Sequence, residues 1–87
     1  MNYNIENLKK RLIYRSQYRG TKEMDNLIGS FVKSNIDNFS FEQLLELEVF
    51  LSIDDDTLYR FYNNQITDLK NIDKHLSELY RKHEYKN

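Results

Sequence analysis

Residues 24–32, Met-Asp-Asn-Leu-Ile-Gly-Ser-Phe-Val, carry the clearest structural signal in the chain. Apolar residues recur there at i, i+3, i+4, i+7 and i+8, the spacing of one face of an amphipathic α-helix. This spacing predicts a core-facing helix that follows Gly20 and ends near Asn35. Because a glycine inside a helix costs about 1 kcal/mol relative to alanine, we expect Gly29 to permit the close approach of another helix. The apolar residues of this face are Met24, Leu27, Ile28, Phe31 and Val32.

Another helix is predicted before this one, from about Asn4 to Tyr18. Ile5, Leu8 and Leu12 lie on one face of it, at the same helical spacing. This face is expected to pack on the core.

The third helix has a well-marked start. Ser40 is expected to be its N-cap and Gln43 stands at the capping-box position, while Phe39 and Leu44 are placed to form a hydrophobic staple. The residues expected to point inward are Leu44, Leu47 and Leu51, flanked by Leu45 and Phe50.

The last third of the chain predicts two more helices. A break at residues 52–56 supplies three aspartates, which suit the positive N-terminal end of a short fourth helix. Asn63 and Asn64 are expected to end that helix. A fifth helix is predicted from Thr67 to about His83. Its apolar stripe consists of Leu69, Ile72, Leu76, Leu79 and Tyr80.

These patterns together predict an all-α protein, a compact bundle of four or five short helices that forms a single domain over residues 1–87. The sequence shows no alternation typical of strands. It also contains no alanine, so tertiary packing must hold the helices. Residues 65–87 are either a packed helix or a looser C-terminal tail.

Composition narrows the classes of function. The 13 Lys and Arg nearly balance the 14 Asp and Glu, and the pI of 6.1 argues against a general nucleic-acid binder. The absence of cysteine excludes disulfides and thiolate metal sites. No apolar run approaches the ~20 residues of a membrane span, and the first seven residues lack the features of a signal peptide. We therefore expect a cytoplasmic, bacterial protein without direct membrane insertion.

Enzyme chemistry finds little support in the sequence. His75 and His83 both lie on the last predicted helix, without further metal ligands nearby, and we expect both at the surface. Glu42 and Glu46 fit a solvated helix face. No glycine-rich phosphate loop is present. The sequence predicts no catalytic residue and no metal site.

Charge is unevenly distributed along the chain. Residues 9–22 contain six basic and no acidic residues, whereas residues 34–59 contain seven acidic and no basic ones. Two such poles either orient the molecule on a partner, or they simply attract each other within the fold or are merely solvated. We favour the second interpretation. A nucleic-acid module is a weaker alternative, based on a mixed basic and aromatic face of the first helix. That face consists of Lys10, Arg11, Tyr14, Arg15, Tyr18 and Arg19.

Residues 19–25, Arg-Gly-Thr-Lys-Glu-Met-Asp, place basic residues, acidic residues and a glycine at the junction of the first two helices. Helix capping explains part of it: Gly20 either ends the first helix or caps the second, with Glu23 at N3. Arg19 and Glu23, four residues apart, are also spaced for a weak ion pair. Capping does not explain why Arg15 and two tyrosines crowd the same turn.

The run of residues 12–31 resembles the succinate dehydrogenase flavin-assembly factors, small helical proteins that carry an R-G-x-x-E motif followed by D and, after an apolar helix, F. The later stretches 40–44 and 54–61 also resemble this family, so the likeness covers residues 8 to 62. Asp56 stands where the family usually has Pro, Thr57 where it has Asp, and Phe61 where Trp is common. The residues that fit the motif are Arg19, Gly20, Glu23, Asp25 and Phe31.

The resemblance implies an assembly factor that binds the flavoprotein subunit of succinate dehydrogenase, or of fumarate reductase, and promotes covalent attachment of FAD. The FAD is expected on the flavoprotein and not on this chain, which is expected to be a monomer and not an enzyme. The partner-binding residues implied are Arg15, Arg19, Gly20, Glu23 and Asp25, with flanking contacts from Tyr14 and Tyr18.

Each motif residue receives an expected role. Arg19 and Glu23 are expected to reach the partner from one face, which Arg15 extends. Gly20, without a side chain, is expected to let the partner backbone come close. Asp25 is expected either to orient arginines or to cap the second helix.

Overall fold

The structure, a computed structural model, describes residues 4–85. No residue in that range lies in a β-strand, and the helices number five with one additional 3-10 turn. The predicted all-α class is therefore confirmed. The helices are α1 (Ile5–Gln17), α2 (Lys22–Asn35), the 3-10 turn Ile36–Asn38, α3 (Phe41–Phe50), α4 (Asp55–Tyr62) and α5 (Lys74–Lys82).

Helix α2 supplies more of the described core than any other helix, in keeping with its periodicity. Its five apolar residues are each at most 5% exposed, and α1 packs mainly against it. Gly29 lies at this contact: a Cβ atom there would be 3.3 Å from Cγ of Gln17 and 3.6 Å from the carbonyl oxygen of Ser16. The predicted close approach of a helix at Gly29 is confirmed, and the helix is α1.

The buried face of α1 is shifted by one turn from the prediction. Leu8, Leu12 and Ser16 are buried at four-residue intervals, but Ile5 is 40% exposed. Ile5 is the first residue of the helix, where the core does not extend far enough to cover it. The expectation that Ile5 packs inward is therefore wrong.

The caps of α3 and α4 follow the sequence signals. Ser40 and Gln43 form the predicted capping box. The side chain of Asp54 accepts hydrogen bonds from the hydroxyl of Thr57 at 2.8 Å and from its backbone N–H at 3.0 Å. These bonds hold the pKa of Asp54 below its ordinary value. Phe50, expected beside the inward face of α3, lies fully inside the core.

Helix α5 begins at Lys74, so the predicted start at Thr67 is wrong. Asn71 has a φ of +65°, which a right-handed helix does not accommodate, and Asp73 caps the helix by accepting from the N–H of His75. Leu69 is nevertheless buried, reaching the core from irregular chain.

The C-terminal helix packs firmly on the rest of the fold. Leu76 is 5% exposed and Tyr80 is fully buried. The hydroxyl of Tyr80 donates to the carbonyl of Leu58 at 2.8 Å, and its ring lies edge-on to Phe50. Helices α4 and α5 are thereby joined by a buried hydrogen bond.

Candidate functional site

The connection between α1 and α2 is four residues long, from Tyr18 to Thr21. Tyr18 is the C-cap of α1, and Thr21 caps α2 by accepting from the N–H of Met24 at 3.2 Å. Gly20 lies between these caps, exposed, with a φ of +126° that L-amino acids rarely adopt. Gly20 therefore caps neither helix, and Glu23 is the second helical residue rather than the expected N3.

Arg19 points into the molecule. Its side chain is 9% exposed, and its Nε lies 2.8 Å from Oδ1 of Asp55. The two terminal nitrogens donate to the carbonyls of Leu51 and Ile53, each at 2.6 Å. Because Arg19 lies outside both helices, the expected i,i+4 pairing with Glu23 is not formed. The arginine instead ties the first turn to the connection between α3 and α4.

Asp25 works with Arg19 inside the same turn. Its carboxylate accepts the backbone N–H of Arg19 at 2.5 Å, six residues earlier in the chain. Of the two roles expected for Asp25, the structure supports orienting the arginine, through its main chain. The N-cap of α2 is Thr21. Arg19 and Asp25 thus shape the turn from within.

Glu23 faces outward from the first turn of α2. Its Oε2 accepts hydrogen bonds from the hydroxyls of Tyr59, at 3.3 Å, and Tyr85, at 3.0 Å. It borders a shallow cleft between α2 and α4. The residues that line this cleft are Thr21, Glu23, Met24, Asp55, Asp56 and Tyr59.

Two tyrosines stand out on α1 beside this turn. Tyr14 and Tyr18 are 62% and 66% exposed, and their ring centroids are 4.5 Å apart. They form an aromatic surface next to Gly20. Of the seven site residues named from the sequence, Tyr14, Tyr18, Gly20 and Glu23 are exposed, Arg15 and Asp25 are partly buried, and the side chain of Arg19 faces inward. Contact of any of them with a partner stays a prediction.

The basic and acidic poles attract each other within the fold, as favoured from the sequence. Arg11 and Arg15 of α1 lie 3.6 and 3.9 Å from the carboxylate of Glu48 on α3, and Lys9 lies 3.5 Å from Asp37. With Arg19 turned inward, these pairs engage most of the cations on the face suggested for nucleic acid. The geometry does not favour that alternative.

Sequence reasoning missed three residues that complete the site: Asp55, Tyr59 and Tyr85. The aspartate run 54–56 was interpreted only as a helix start, although Asp54 alone serves as the cap. Asp55, a carboxylate that the cap does not use, is only weak evidence in the sequence for an ion pair with a distant arginine. Nothing local in the sequence connects Tyr59 or Tyr85 to Glu23, 36 and 62 residues away.

The two histidines differ in their surroundings. His75 is exposed, as expected. The expectation of a surface position is wrong for His83, which is partly buried. Its Nε2 lies 2.8 Å from Oγ of Ser30 and its ring packs against Phe31. Burial holds the pKa of His83 below its ordinary value.

Between residues 4 and 85, no group of three or more histidine, aspartate or glutamate side chains is arranged to hold a metal ion. Over the same residues, no helix combines the length and apolar character needed to cross a bilayer.

Comparison with known proteins gives a consistent set of relatives. The chain is 40% identical over 55 residues to the FAD assembly factor SdhE of Acetobacter pasteurianus, covering 63% of this chain and 50% of that protein. It is 37% identical over 57 residues to the mitochondrial succinate dehydrogenase assembly factor 2 of Dictyostelium discoideum, covering 66% and 40%.

A third relative, the mitochondrial succinate dehydrogenase assembly factor 2-A of Drosophila yakuba, is 30% identical over 81 residues, which cover 91% of this chain and 50% of that protein. The chain spans about half the length of the curated relatives it matches. No solved structure gives a significant match. The model of the family described as flavinator of succinate dehydrogenase matches residues 10–84. Because that match covers most of the sequence, the chain belongs to this family.

Proposed function

We propose that this chain binds the flavoprotein subunit of succinate dehydrogenase and promotes the covalent attachment of FAD to it. The observation that carries the proposal is the family match over residues 10–84, which includes the whole of the turn described above. The exposed face of that turn supplies a docking surface of the kind that such a function needs.

The docking surface combines four kinds of group. Gly20 offers exposed backbone without a side chain, so a partner main chain can approach closely. Glu23 offers a carboxylate that accepts hydrogen bonds. Tyr14 and Tyr18 offer aromatic area at the rim, and Arg15, partly exposed, extends the surface. Arg19 and Asp25 hold this arrangement from inside.

The bond-forming chemistry belongs to the flavoprotein and its cofactor. In the proposal this chain is not itself an enzyme, and FAD stays on the flavoprotein. The chain acts by binding most tightly the flavoprotein arrangement in which the flavin and its acceptor side chain are aligned. Holding the reacting groups in alignment strongly increases the rate of a reaction. A monomeric state, a bacterial cytoplasmic location and the choice of succinate dehydrogenase over fumarate reductase are parts of the same proposal.

The experiment is flavin fluorescence on a denaturing gel. The flavoprotein subunit is expressed alone, with this chain, and with its Gly20→Ala and Gly20→Arg variants. A side chain at Gly20 is strained because of the φ of +126°, so Gly20→Arg is expected to disturb the turn as well as to block docking. Gly20→Ala carries the same strain without the bulk, since a Cβ there meets nothing closer than Oδ2 of Asp55, at 3.9 Å.

We expect fluorescence with the wild-type chain, a modest decrease with Gly20→Ala and near-complete loss with Gly20→Arg. Equal fluorescence with and without the wild-type chain contradicts the proposed function. If both Gly20 variants give the same fluorescence as the wild-type chain, the placement of the docking surface at Gly20 is wrong.

A further inference from the structure

The residues after α5 turn back toward the motif. His83, Glu84 and Tyr85, here called the C-terminal strap, run along α2 and α4. The hydroxyl of Tyr62 donates to the carbonyl oxygen of His83. The side chain of His83 is hydrogen bonded to Ser30 on α2. The strap is therefore anchored at its base to two helices of the core.

The end of the strap lies over Glu23. The hydroxyl of Tyr85 donates to Oε2 of Glu23 at 3.0 Å, and its ring packs edge-on against Tyr62, with centroids 5.9 Å apart. Burial, the hydrogen bond to Glu23 and the glutamate charge raise the pKa of Tyr85 to about 12. The hydroxyl thus remains a donor at every physiological pH.

Tyr59 also donates to Glu23, but from a different position. It belongs to α4, whose Leu58 and Phe61 are buried in the core, so its main chain cannot move away from Glu23 without disrupting the helix. Tyr85 lies three residues beyond the end of α5, outside the helix. Of the two tyrosines on Glu23, only Tyr85 is placed to move away.

We propose that the C-terminal strap occupies Glu23 in the free chain and that a hydrogen-bond donor of the partner replaces the Tyr85 hydroxyl on docking. The donor is a hydroxyl, an amide N–H or a guanidinium, because Glu23 only accepts. This inference rests on the proposed function and adds its regulation. The affinity measured with the partner is the affinity of the open chain multiplied by the fraction of molecules in which the strap is open. After flavin attachment, the tethered hydroxyl competes for Glu23 at high effective concentration and promotes release.

One test needs no partner. Amide resonances of the full chain are recorded for the wild type, Tyr85→Phe and Tyr59→Phe. Tyr85→Phe keeps the ring and removes only the hydroxyl. If the strap covers Glu23, resonances of Glu23 and its neighbours in α2 shift in the Tyr85→Phe spectrum. Changes confined to residues near position 85 overturn the contact.

The second test measures affinity and dissociation rate with the flavoprotein subunit. Loss of one exposed hydrogen bond raises the open fraction by about two- to fivefold, so Tyr85→Phe is expected to bind about two- to fivefold more tightly and to dissociate more slowly. Tyr59→Phe is the matched control: it also removes a hydroxyl from Glu23 and is expected to give no tightening.

Equal tightening by both variants, or none by Tyr85→Phe, overturns the strap as a competitor while leaving the proposed function intact. Failure of the wild-type chain to bind the flavoprotein overturns the proposed function and the displacement together. The spectra then still decide whether the strap covers Glu23.

Discussion

Arg19 and Asp55, 36 residues apart in the sequence, form an ion pair of 2.8 Å in which the arginine side chain is only 9% exposed. The same guanidinium donates to two carbonyls of the chain between α3 and α4. A bidentate or fork-like arginine of this kind fixes geometry as well as charge. The arginine of the family motif thus has a structural role in this chain, and its contact with a partner stays a prediction.

Replacing Arg19 is expected to destabilise the fold. Arg19→Ala leaves Asp55 and two carbonyls without their donor, and we expect the free energy of unfolding to fall by about 2–4 kcal/mol. Arg19→Lys keeps the charge but lacks the planar fork, so an intermediate loss is expected. Urea unfolding measures the loss in both variants, provided that the dependence of the unfolding free energy on urea concentration has the same slope as in the wild type.

Arg15→Ala is the control in the same unfolding experiment, because it removes an arginine charge without removing buried hydrogen bonds. Its contact with Glu48 is long, 3.9 Å, and 36% of its side chain is exposed, so a loss of no more than about 1 kcal/mol is expected. If Arg19→Ala unfolds at the same urea concentration as the wild type, the structural role assigned to Arg19 is wrong.

Glu23→Ala is expected to separate binding from folding. The side chain is exposed and caps no helix, so the helical signal in circular dichroism should match that of the wild type. Loss of a hydrogen bond to a charged group is worth roughly 1.5 kcal/mol or more, which is about tenfold in affinity. Because Glu23→Ala also releases the strap, the net affinity for the flavoprotein should fall at least about twofold. A loss of helicity in Glu23→Ala would instead assign the residue to the start of α2.

Tyr80→Phe tests how α5 is attached. The variant keeps the buried ring and removes the hydroxyl that donates to Leu58. We expect a loss of about 1 kcal/mol in the free energy of unfolding. Tyr14→Phe, whose ring is 62% exposed, is expected to unfold like the wild type. Equal midpoints for Tyr80→Phe and Tyr14→Phe would show that the buried hydrogen bond contributes nothing.

His83 is expected to make stability depend on pH in the mildly acidic range. Its pKa is lowered in the folded chain by burial, so the unfolded chain takes up a proton first, near pH 6.5. Stability is therefore full above about pH 6.5 and falls as the pH decreases from there toward the folded pKa.

The comparison that isolates His83 uses both histidines. His83→Gln should lose this part of the pH dependence, whereas His75→Gln, altered at an exposed position, should keep it. Identical pH profiles for His83→Gln and the wild type would exclude the buried histidine as the source.

The features predicted correctly from the sequence are local ones. The inner face of α2 and the Ser40–Gln43 capping box follow from spacings within a few residues. Gly29 is a partial exception: a glycine inside a helix signals a close contact, and the structure supplies α1 as the other helix.

The features that were missed depend on residues far apart in the chain. The partner of Arg19 is chosen by how α4 packs beside the first turn, which no local pattern encodes. The start of α5 was placed too early because Leu69 and Ile72 fit the helical stripe, although Asn71 between them adopts a left-handed conformation. Tyr85 reaches Glu23 only because α5 returns the chain to α2.

The division of the motif into inward and outward residues has a consequence for genetics. Variants of Arg19 or Asp25 lower the amount of folded protein, and growth at reduced temperature should restore them, because more of a marginal fold survives in the cooler cell. A Glu23 variant is fully folded and lacks only a contact, so cooling should not restore it. Temperature-sensitive alleles are therefore expected at Arg19 and Asp25, and temperature-independent ones at Glu23.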